Sequence, residues 1–171
     1  MAPADEPVLD SGDDRRNNHS TTSPALAERI SRLVAGQPYG VLCTHGADHA
    51  YGSLIAFAFA DDLSTAVFAT PRATRKYRLL TDHDRVALVV DNRSQHPGEL
   101  MSVEAITATG CAREITDSED HAKLAAGLVA KHPQLKPFVE AESCALFEVE
   151  ILRILHVTRF QEVRQWLPQP K

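Results

Sequence analysis

The 171-residue sequence has few aromatic residues and few cysteines, and it has no long apolar run. Aromatic side chains make up 6% of the chain, with a single Trp. The three cysteines, Cys43, Cys111 and Cys144, include no CxxC pair, and an odd number argues against a disulfide framework. We expect them to be buried thiols in a reducing compartment. No segment approaches the ~18 apolar residues that a membrane-spanning helix needs.

Basic residues are also scarce relative to acidic ones. The chain has 18 Lys and Arg against 23 Asp and Glu, which gives a net charge of −5 and a pI of about 5.9. A protein that binds nucleic acid or an anionic membrane needs a basic face, so both classes are disfavoured. The sequence has no G-x-G-x-x-G motif, no P-loop and no G-x-S-x-G elbow, and hydrolase chemistry has little support. The hydrophobic fraction of 43% and the length suit one globular domain.

Residues 1–22 contain almost no apolar side chains. Val8-Leu9 is too short for the apolar core of a secretory signal. Because such a segment cannot bury enough surface to offset its ordering entropy, we expect a disordered tail, with a docking arm as the alternative. The sequence therefore predicts one domain over 23–171 in a cytoplasmic protein.

The rest of the chain alternates short β-like runs with helical segments. A helix is predicted from Pro24, after an N-cap at Ser23, to a stop at Gly36. A capping box at 116–119 opens another helix, and Pro133 and Pro137 end it. We predict a helix at 75–82 and strands at 41–44, 50–60, 66–70, 85–91, 102–113, 145–151 and 155–160, with a loop at 92–100. This order is typical of a mainly β protein with short helices (α+β), built as an antiparallel barrel.

One segment, from Phe68 to Arg78, carries a candidate anion site. A strand ends at Thr70, a connector carries Arg72, Thr74 is a good N-cap, and a helix starts at Arg75-Lys76. Free N–H groups at a helix start favour an anion, and Arg and Lys suit a phosphate. Cations at a helix N-terminus are otherwise mildly unfavourable. The alternative is a solvated basic helix start.

The runs "GSLIAFAFADD", "VFATPRATRKYRLLTDHDRVALVVDNRS" and "ITATGCARE" resemble the pyridoxamine-5′-phosphate-oxidase-like, FMN-binding split barrels. The resemblance covers roughly residues 33–166. It implies a six-stranded antiparallel split β-barrel that forms a homodimer, with FMN at the subunit interface. The C-terminal "LFEVEILRILHVTRF" is also similar to the family's haem-utilisation branch.

The resemblance also implies which residues bind the flavin. Arg75 and Lys76 match the pair that grips the phosphate, Ala69 and Thr70 match the strand end before it, and 53–58 match the strand along the ring. Small residues at Ser53, Ala56 and Ala58 would let a flat ring lie close to the backbone. The C-terminal strands of related proteins complete the partner's pocket, so Trp166 and Arg159 are candidates for contact across the dimer. The predicted cofactor-binding residues are Ser53, Leu54, Ile55, Ala69, Thr70, Arg72, Thr74, Arg75, Lys76 and Trp166.

Three departures from the family pattern argue against vitamin B6 oxidation. Ser53 and Ala58 stand where the pyridoxamine phosphate oxidases have Arg and Lys, and Ala105 stands near their Gln. Their C-terminal substrate-binding Arg and His have no match. We therefore expect an FMN-dependent oxidoreductase that acts on a small molecule of unknown identity, with no side chain assigned as acid or base.

Several alternatives stay open at this stage. A haem-binding or haem-degrading relative would need an axial His, for which His156 or a loop histidine is the candidate. A non-catalytic flavin module and a deazaflavin in place of FMN are further options. For Trp166 the alternative is packing at the barrel edge. His45 and His49 flank a turn and make a poor metal pair, Cys43 lacks a basic neighbour in sequence, and the loop at 92–99 is a candidate lid.

Overall fold

Six antiparallel strands close into a barrel in the computed structural model, which describes residues 23–159 and 162–168. The strands follow the order β3-β2-β1-β4-β5-β6, and β3 pairs with β6 to close the barrel, while β7 lies beside β6. The bounds are β1 Tyr39–His45, β2 Ala50–Phe59, β3 Thr65–Pro71, β4 Arg85–Asp91, β5 Glu104–Glu114, β6 Cys144–Thr158 and β7 Glu162–Trp166. The prediction of a mainly β, six-stranded antiparallel split barrel with short helices is confirmed. The predicted tail at 1–22 lies outside the described residues.

The described residues also form four α-helices outside the sheet. They are α1 Pro24–Gly36, α2 Arg75–Asp82, α3 Ser118–Lys131 and the short α4 Lys136–Val139. The loop predicted at 92–100 contains one short 3-10 turn, Arg93–Gln95, and a second one, Leu100–Ser102, follows it before β5. No helix among the described residues is long and apolar enough to cross a lipid bilayer.

The last two predicted strands, 145–151 and 155–160, are wrong as separate elements. β6 is one strand of 15 residues, and its pairing with β5 skips Leu152, because Thr109 faces Arg153 while Gly110 faces Ile151. This bulge moves the buried positions of β6 from odd to even residue numbers. The broken alternation imitates the end of a strand, and the strand that really follows is β7.

Helix ends differ from the predicted ones in local detail. Ser23 is the N-cap of α1 as predicted, but its side chain makes no capping hydrogen bond. Gly36 belongs to α1, and Gln37 is the C-cap. At α3 the cap is Asp117 rather than a box begun by Thr116, because its carboxylate accepts from the N–H groups of Glu119 and Asp120. A negative charge is favourable at a helix N-terminus.

The main core lies inside the barrel, where α1 contributes Leu26 and Ile30 and the strands contribute Phe57, Phe68 and Phe147. A second apolar cluster lies outside the barrel, between α3 and the outer face of β2, β3 and β6. Its buried members are Ala58, Val67, Leu128, Val139 and Leu146. Helix α3 therefore covers one side of the barrel.

No helix among residues 23–159 and 162–168 covers the outer face of β1, β4 and β5 in this way. The outward side chains along these strands are half-buried, namely Val41, Cys43, Ala87, Val89, Thr107 and Thr109. At the edge of this face, Leu54 is 68% exposed and Tyr39 is 52% exposed. The described part of the chain thus leaves this face uncovered, with apolar side chains on β1 and β4 and threonines on β5.

Candidate functional site

The junction between β3 and α2 is built by two threonines. Thr74 is the N-cap of α2, and its hydroxyl oxygen accepts from the N–H of Tyr77 at 3.2 Å. The Thr74 hydroxyl donates its one proton to the carbonyl of Pro71 at 2.9 Å. Thr70, which is fully buried, must therefore be the donor in the 3.1 Å contact between the two threonine oxygens. The predicted cap at Thr74 is confirmed, and these bonds fix the direction in which α2 leaves the strand.

Helix α2 starts with two cations at its first two positions, Arg75 and Lys76. The backbone N–H groups of these two residues have no carbonyl four residues back within the helix. In the described part of the chain, neither backbone N–H group has another acceptor. Lys76 is half-buried, and among the described residues it makes no hydrogen bond or ion pair. Burial lowers the pKa of its ammonium group. A cation and two free N–H groups thus share one helix start without a counter-ion.

Arg75 is held by the hairpin that joins β1 to β2. Its Nη2 lies 2.9 Å from Nε2 of His49, and its guanidinium carbon lies 5.3 Å from the centre of the Tyr51 ring. The side chain is exposed, so a ligand can reach it from solvent. Arg75 and Lys76 occupy the first two positions of α2, and the convergence of their side chains on one anion stays a prediction.

Arg72 is engaged elsewhere, although the sequence predicted that it would converge on the same point. Its Nη1 lies 2.5 Å from Oε1 of Glu114 and donates to the Tyr77 hydroxyl at 3.0 Å. The Tyr77 hydroxyl donates in turn to the other oxygen of Glu114 at 2.9 Å. The carboxylate of Glu114 raises the pKa of Arg72. Its partner lies far along the chain, where no local pattern could identify it.

The strand matched to the flavin ring has one polar atom without a partner. The Ser53 hydroxyl oxygen is buried and has no hydrogen-bond partner among the described residues. Ile55, on the same face of β2, is 5% exposed and belongs to the core, whereas Leu54 points outward. A buried hydroxyl without a partner is costly, which makes Ser53 a candidate donor to a ligand.

The small residues of β2 do not form one surface. Side chains alternate along a strand, so Ser53 lies on the opposite face from Ala56 and Ala58. Ala58 is 7% exposed because α3 packs on it, and Ala69 on β3 packs against the same cluster. The prediction that Ser53, Ala56 and Ala58 together line a flat slot is therefore wrong. Only the first half of the outer face of β2, around Leu54, is open.

Trp166 lies in the apolar core. Its side chain is 7% exposed, and in the sheet it pairs with Ile154 on β6. Arg159 donates to the carboxylate of Glu162, the first residue of β7, at 3.2 Å. Packing, the alternative stated for Trp166, accounts for its position, and contact with a cofactor stays a prediction.

The buried His156 belongs to a partly buried ionic cluster that the sequence did not reveal. Arg29 of α1 donates to both oxygens of Glu104, with distances of 2.7 to 3.1 Å. Nε2 of His156 lies 3.1 Å from Oε2 of the same carboxylate, and the His156 side chain is fully buried. Arg29 lowers the pKa of Glu104, and burial lowers the pKa of His156. With the ring buried and Nε2 hydrogen-bonded, His156 is not placed as an axial ligand.

The loop histidines, the cysteines and the loop at 92–99 were the remaining candidates from the sequence. His45 stacks on His83 with ring centres 4.6 Å apart, and His49 lies 2.8 Å from Asp48. Of the three free cysteines only Cys144 is buried, and burial raises the pKa of its thiol. The predicted lid carries Arg93 and Ser94, which line a cavity of about 180 Å³ with Leu54 and Tyr39.

Comparison with known proteins identifies the family. The model of the pyridoxamine 5′-phosphate oxidase family matches residues 26–158. The chain belongs to this family. No protein in the curated set matches the sequence significantly.

Solved structures share the fold of this family member at low identity. A haem-binding protein from Mycobacterium smegmatis has a TM-score of 0.74 at 16% identity, covering 85% of this chain and 59% of its own. HutZ, the haem storage protein from Vibrio cholerae, has a TM-score of 0.63 at 15% identity, covering 72% and 88%. General Stress Protein 26 from Bacillus anthracis str. Sterne has a TM-score of 0.60 at 21% identity, covering 77% and 93%. The chain spans about three fifths of the length of the mycobacterial protein.

Proposed function

We propose that this protein binds FMN and acts as an FMN-dependent oxidoreductase on a small molecule. The observation that carries the proposal is Lys76, a half-buried cation without a counter-ion at the start of α2. Removing a charge from water is costly unless it is paired, so this position is suited to an anion supplied from outside the chain. Family membership makes the flavin phosphate the leading candidate.

The residues at the junction fit the phosphate end of FMN. Lys76 and Arg75 supply charge, and the free N–H groups of α2 supply directed donors. The bonds among Thr70, Thr74 and Pro71 hold these donors in place before any ligand arrives. Such preorganisation lowers the entropy cost of binding. Arg72 is left out of this set because Glu114 already pairs with it.

The residues on β2 fit the ring end of FMN. Leu54 offers exposed apolar surface next to the cavity lined by Arg93 and Ser94 of the loop at 92–99. The unpartnered Ser53 hydroxyl lies on the opposite, inward face of β2, so it is not part of this surface. When bound, FMN would supply a ring that exchanges hydride or single electrons with a substrate. The part of this chain would be to bind the ring, orient it and limit the access of water. No side chain in this region is assigned as an acid or base.

Vitamin B6 is not the substrate that we propose. Ser53, Ala58 and Ala105 replace the charged and amide side chains of the pyridoxamine phosphate oxidases. Ala58 is also covered by α3, so its side chain faces a neighbouring helix rather than a ligand.

We further propose a homodimer that uses the open outer face of β1, β4 and β5. This face is half-buried and apolar on β1 and β4, β5 adds Thr107 and Thr109, and Leu54 and Tyr39 extend it at the edge. A contiguous apolar surface of this kind typically marks an interface. The outward side of β2 around Leu54 would then lie next to the second subunit. A cytoplasmic location stays a prediction from the sequence alone.

Haem binding is the second candidate function. It is favoured by two similar structures whose names describe haem binding and haem storage, although at these identities the likeness is one of fold. A haem would need an axial ligand from a histidine other than His156, which is buried and bonded to Glu104. A non-catalytic flavin-binding protein would bind FMN but would not catalyse hydride or electron transfer to any substrate.

The test is to identify the small molecule that copurifies with the full-length protein. We expect a flavin absorption spectrum, and heat release of FMN rather than riboflavin. A Soret band with no flavin would support the haem alternative. Protein that takes up neither ligand on addition would overturn the proposal. If FMN is found, hydride transfer from a nicotinamide donor to the flavin-loaded protein tests the oxidoreductase activity.

A further inference from the structure

Asp48 and His49, in the turn between β1 and β2, form a chain of hydrogen bonds with Arg75 at the start of α2. Asp48 Oδ1 lies 2.8 Å from Nδ1 of His49, and Nε2 of the same ring lies 2.9 Å from Nη2 of Arg75. A guanidinium can only donate, so Nε2 of His49 must present its lone pair to Arg75. The ring proton therefore sits on Nδ1 and is donated to Asp48. The carboxylate thus selects the tautomer that can accept from Arg75.

The position of the His49 ring is built into the turn. The N–H of Gly46 donates to the carbonyl of His49 at 2.8 Å, which closes the turn. The Gly46 Cα faces the imidazole, and a side chain there would place its Cβ only 2.6 Å from Cε1 of His49. Position 46 must therefore lack a Cβ for the ring to stay where it meets Arg75.

Arg75 is held at two points of the same hairpin. Besides the bond to His49, its guanidinium lies over the ring of Tyr51, 5.3 Å from the ring centre. An exposed Arg loses considerable rotamer freedom when it binds a ligand, and prior contacts reduce that loss. The hairpin thus fixes the position of the Arg75 guanidinium before a ligand binds.

We propose that His49 is a positioning residue that sets the preference of this site for a phosphorylated ligand over its unphosphorylated form. The inference rests on the proposed function, because it concerns the phosphate end of that same site. His49 acts through Arg75 and does not itself touch the ligand. Its effect is therefore confined to the phosphate and absent from the ring.

The test compares the affinities of FMN and riboflavin for full-length protein freed of bound flavin. His49→Leu removes the acceptor, whereas His49→Gln keeps a side-chain oxygen as an acceptor at similar reach. One hydrogen bond contributes about 0.5–1.5 kcal/mol, so His49→Leu should lower the preference for FMN about 2- to 12-fold and leave riboflavin affinity unchanged. His49→Gln should stay within about twofold of the wild type by the same scale. Gly46→Ala displaces the His49 ring, so it should lower the preference for FMN over riboflavin toward the value of His49→Leu.

A double-mutant cycle separates positioning from a merely structural role. In an Arg75→Ala background, His49→Leu should have no further effect on the preference for FMN. If the effect persists there, or if His49→Leu raises the preference, the inference is overturned while the flavin site stands. If the wild type does not prefer FMN to riboflavin, both the proposed function and this inference fail. The imidazole tautomer, seen by ¹⁵N NMR, should be Nδ1–H in the ligand-free protein, and an Nε2–H form would also overturn the inference.

Discussion

The hydroxyl of Thr70 donates to the hydroxyl of Thr74 across 3.1 Å, which joins the end of β3 to the N-cap of α2. Thr70 has no exposed surface, so this bond is the means by which its hydroxyl is satisfied among the described residues. The chain changes from strand to helix within four residues, and this pair fixes the angle. The two cations at the start of α2 take their positions from that angle.

Replacing Thr74 with Ala should lower the free energy of unfolding by about 2 kcal/mol. The loss of an N-cap costs about 1 kcal/mol, and the buried Thr70 hydroxyl loses its acceptor at a similar cost. Thr74→Ser keeps the oxygen and should stay close to the wild type. Urea denaturation of the two variants measures the difference, and equal midpoints would show that the cap contributes nothing.

Replacing Lys76 with Met should stabilise the flavin-free protein. Burial lowers the pKa of this ammonium, which means that the folded state disfavours the charge, and Met removes it while keeping the apolar stem. The gain should exceed the ~0.5 kcal/mol within which surface substitutions normally fall. Arg78→Met, on the exposed face of the same helix, is the matched control and should stay within that range. A destabilised Lys76→Met in thermal unfolding would mean that the chain itself pairs this cation.

The cluster of Arg29, Glu104 and His156 should make the fold acid-sensitive. The pKa of His156 is lowered in the folded state, so stability from this group is present above its ordinary value of 6.5 and is lost as the pH falls below it. The pKa of Glu104 is lowered as well, so its contribution is lost as the pH falls below its ordinary 4.5. One such proton changes stability by at most about 1.4 kcal/mol per pH unit.

The variant His156→Phe separates the two contributions. It should show a flatter fall in unfolding free energy between pH 7 and pH 5, because it removes the group that titrates there. Below pH 5, where Glu104 titrates, its slope should resemble that of the wild type. His121→Gln on α3 is the control, and an unchanged slope for His156→Phe would contradict this assignment.

Gly110 and Gly127 should respond to alanine in opposite directions. A Cβ at Gly110 would lie 2.1 Å from the carbonyl oxygen of Glu150, so Gly110→Ala must push β5 and β6 apart, at a cost of about 3 kcal/mol. A Cβ at Gly127 in α3 meets nothing within 4 Å, and Gly127→Ala should stabilise by about 0.5–1 kcal/mol through helix propensity. Chemical denaturation of both variants checks this, and a tolerated Gly110→Ala would contradict the close approach of the two strands.

Local features were predictable from the sequence, and long-range ones were not. The helix at Arg75–Asp82 and its cap at Thr74 depend on neighbouring residues, so their pattern is visible in the chain. The bulge at Leu152 breaks the alternation that sequence interpretation relies on, which is why β6 was predicted as two strands. The sequence analysis did not predict β7.

In the candidate site, too, features set by neighbouring residues were predictable and contacts between distant residues were not. Arg75 and Lys76 adjoin in sequence, and their joint position at the start of α2 was predicted. The pairing of Arg72 with Glu114 and the contact of Arg29 with Glu104, which joins residues 75 positions apart, depend on the closure of the barrel. A single sequence carries no local signal for such pairs.

The most direct test of the central claim is a titration of FMN and riboflavin into the flavin-free wild type and the double variant Arg75→Ala/Lys76→Ala. Charged hydrogen bonds contribute about 1.5–3 kcal/mol each, so the variant should bind FMN well over tenfold more weakly. Its affinity for riboflavin should stay the same. An equal loss of affinity for both ligands, or no loss for either, would contradict phosphate recognition at the start of α2.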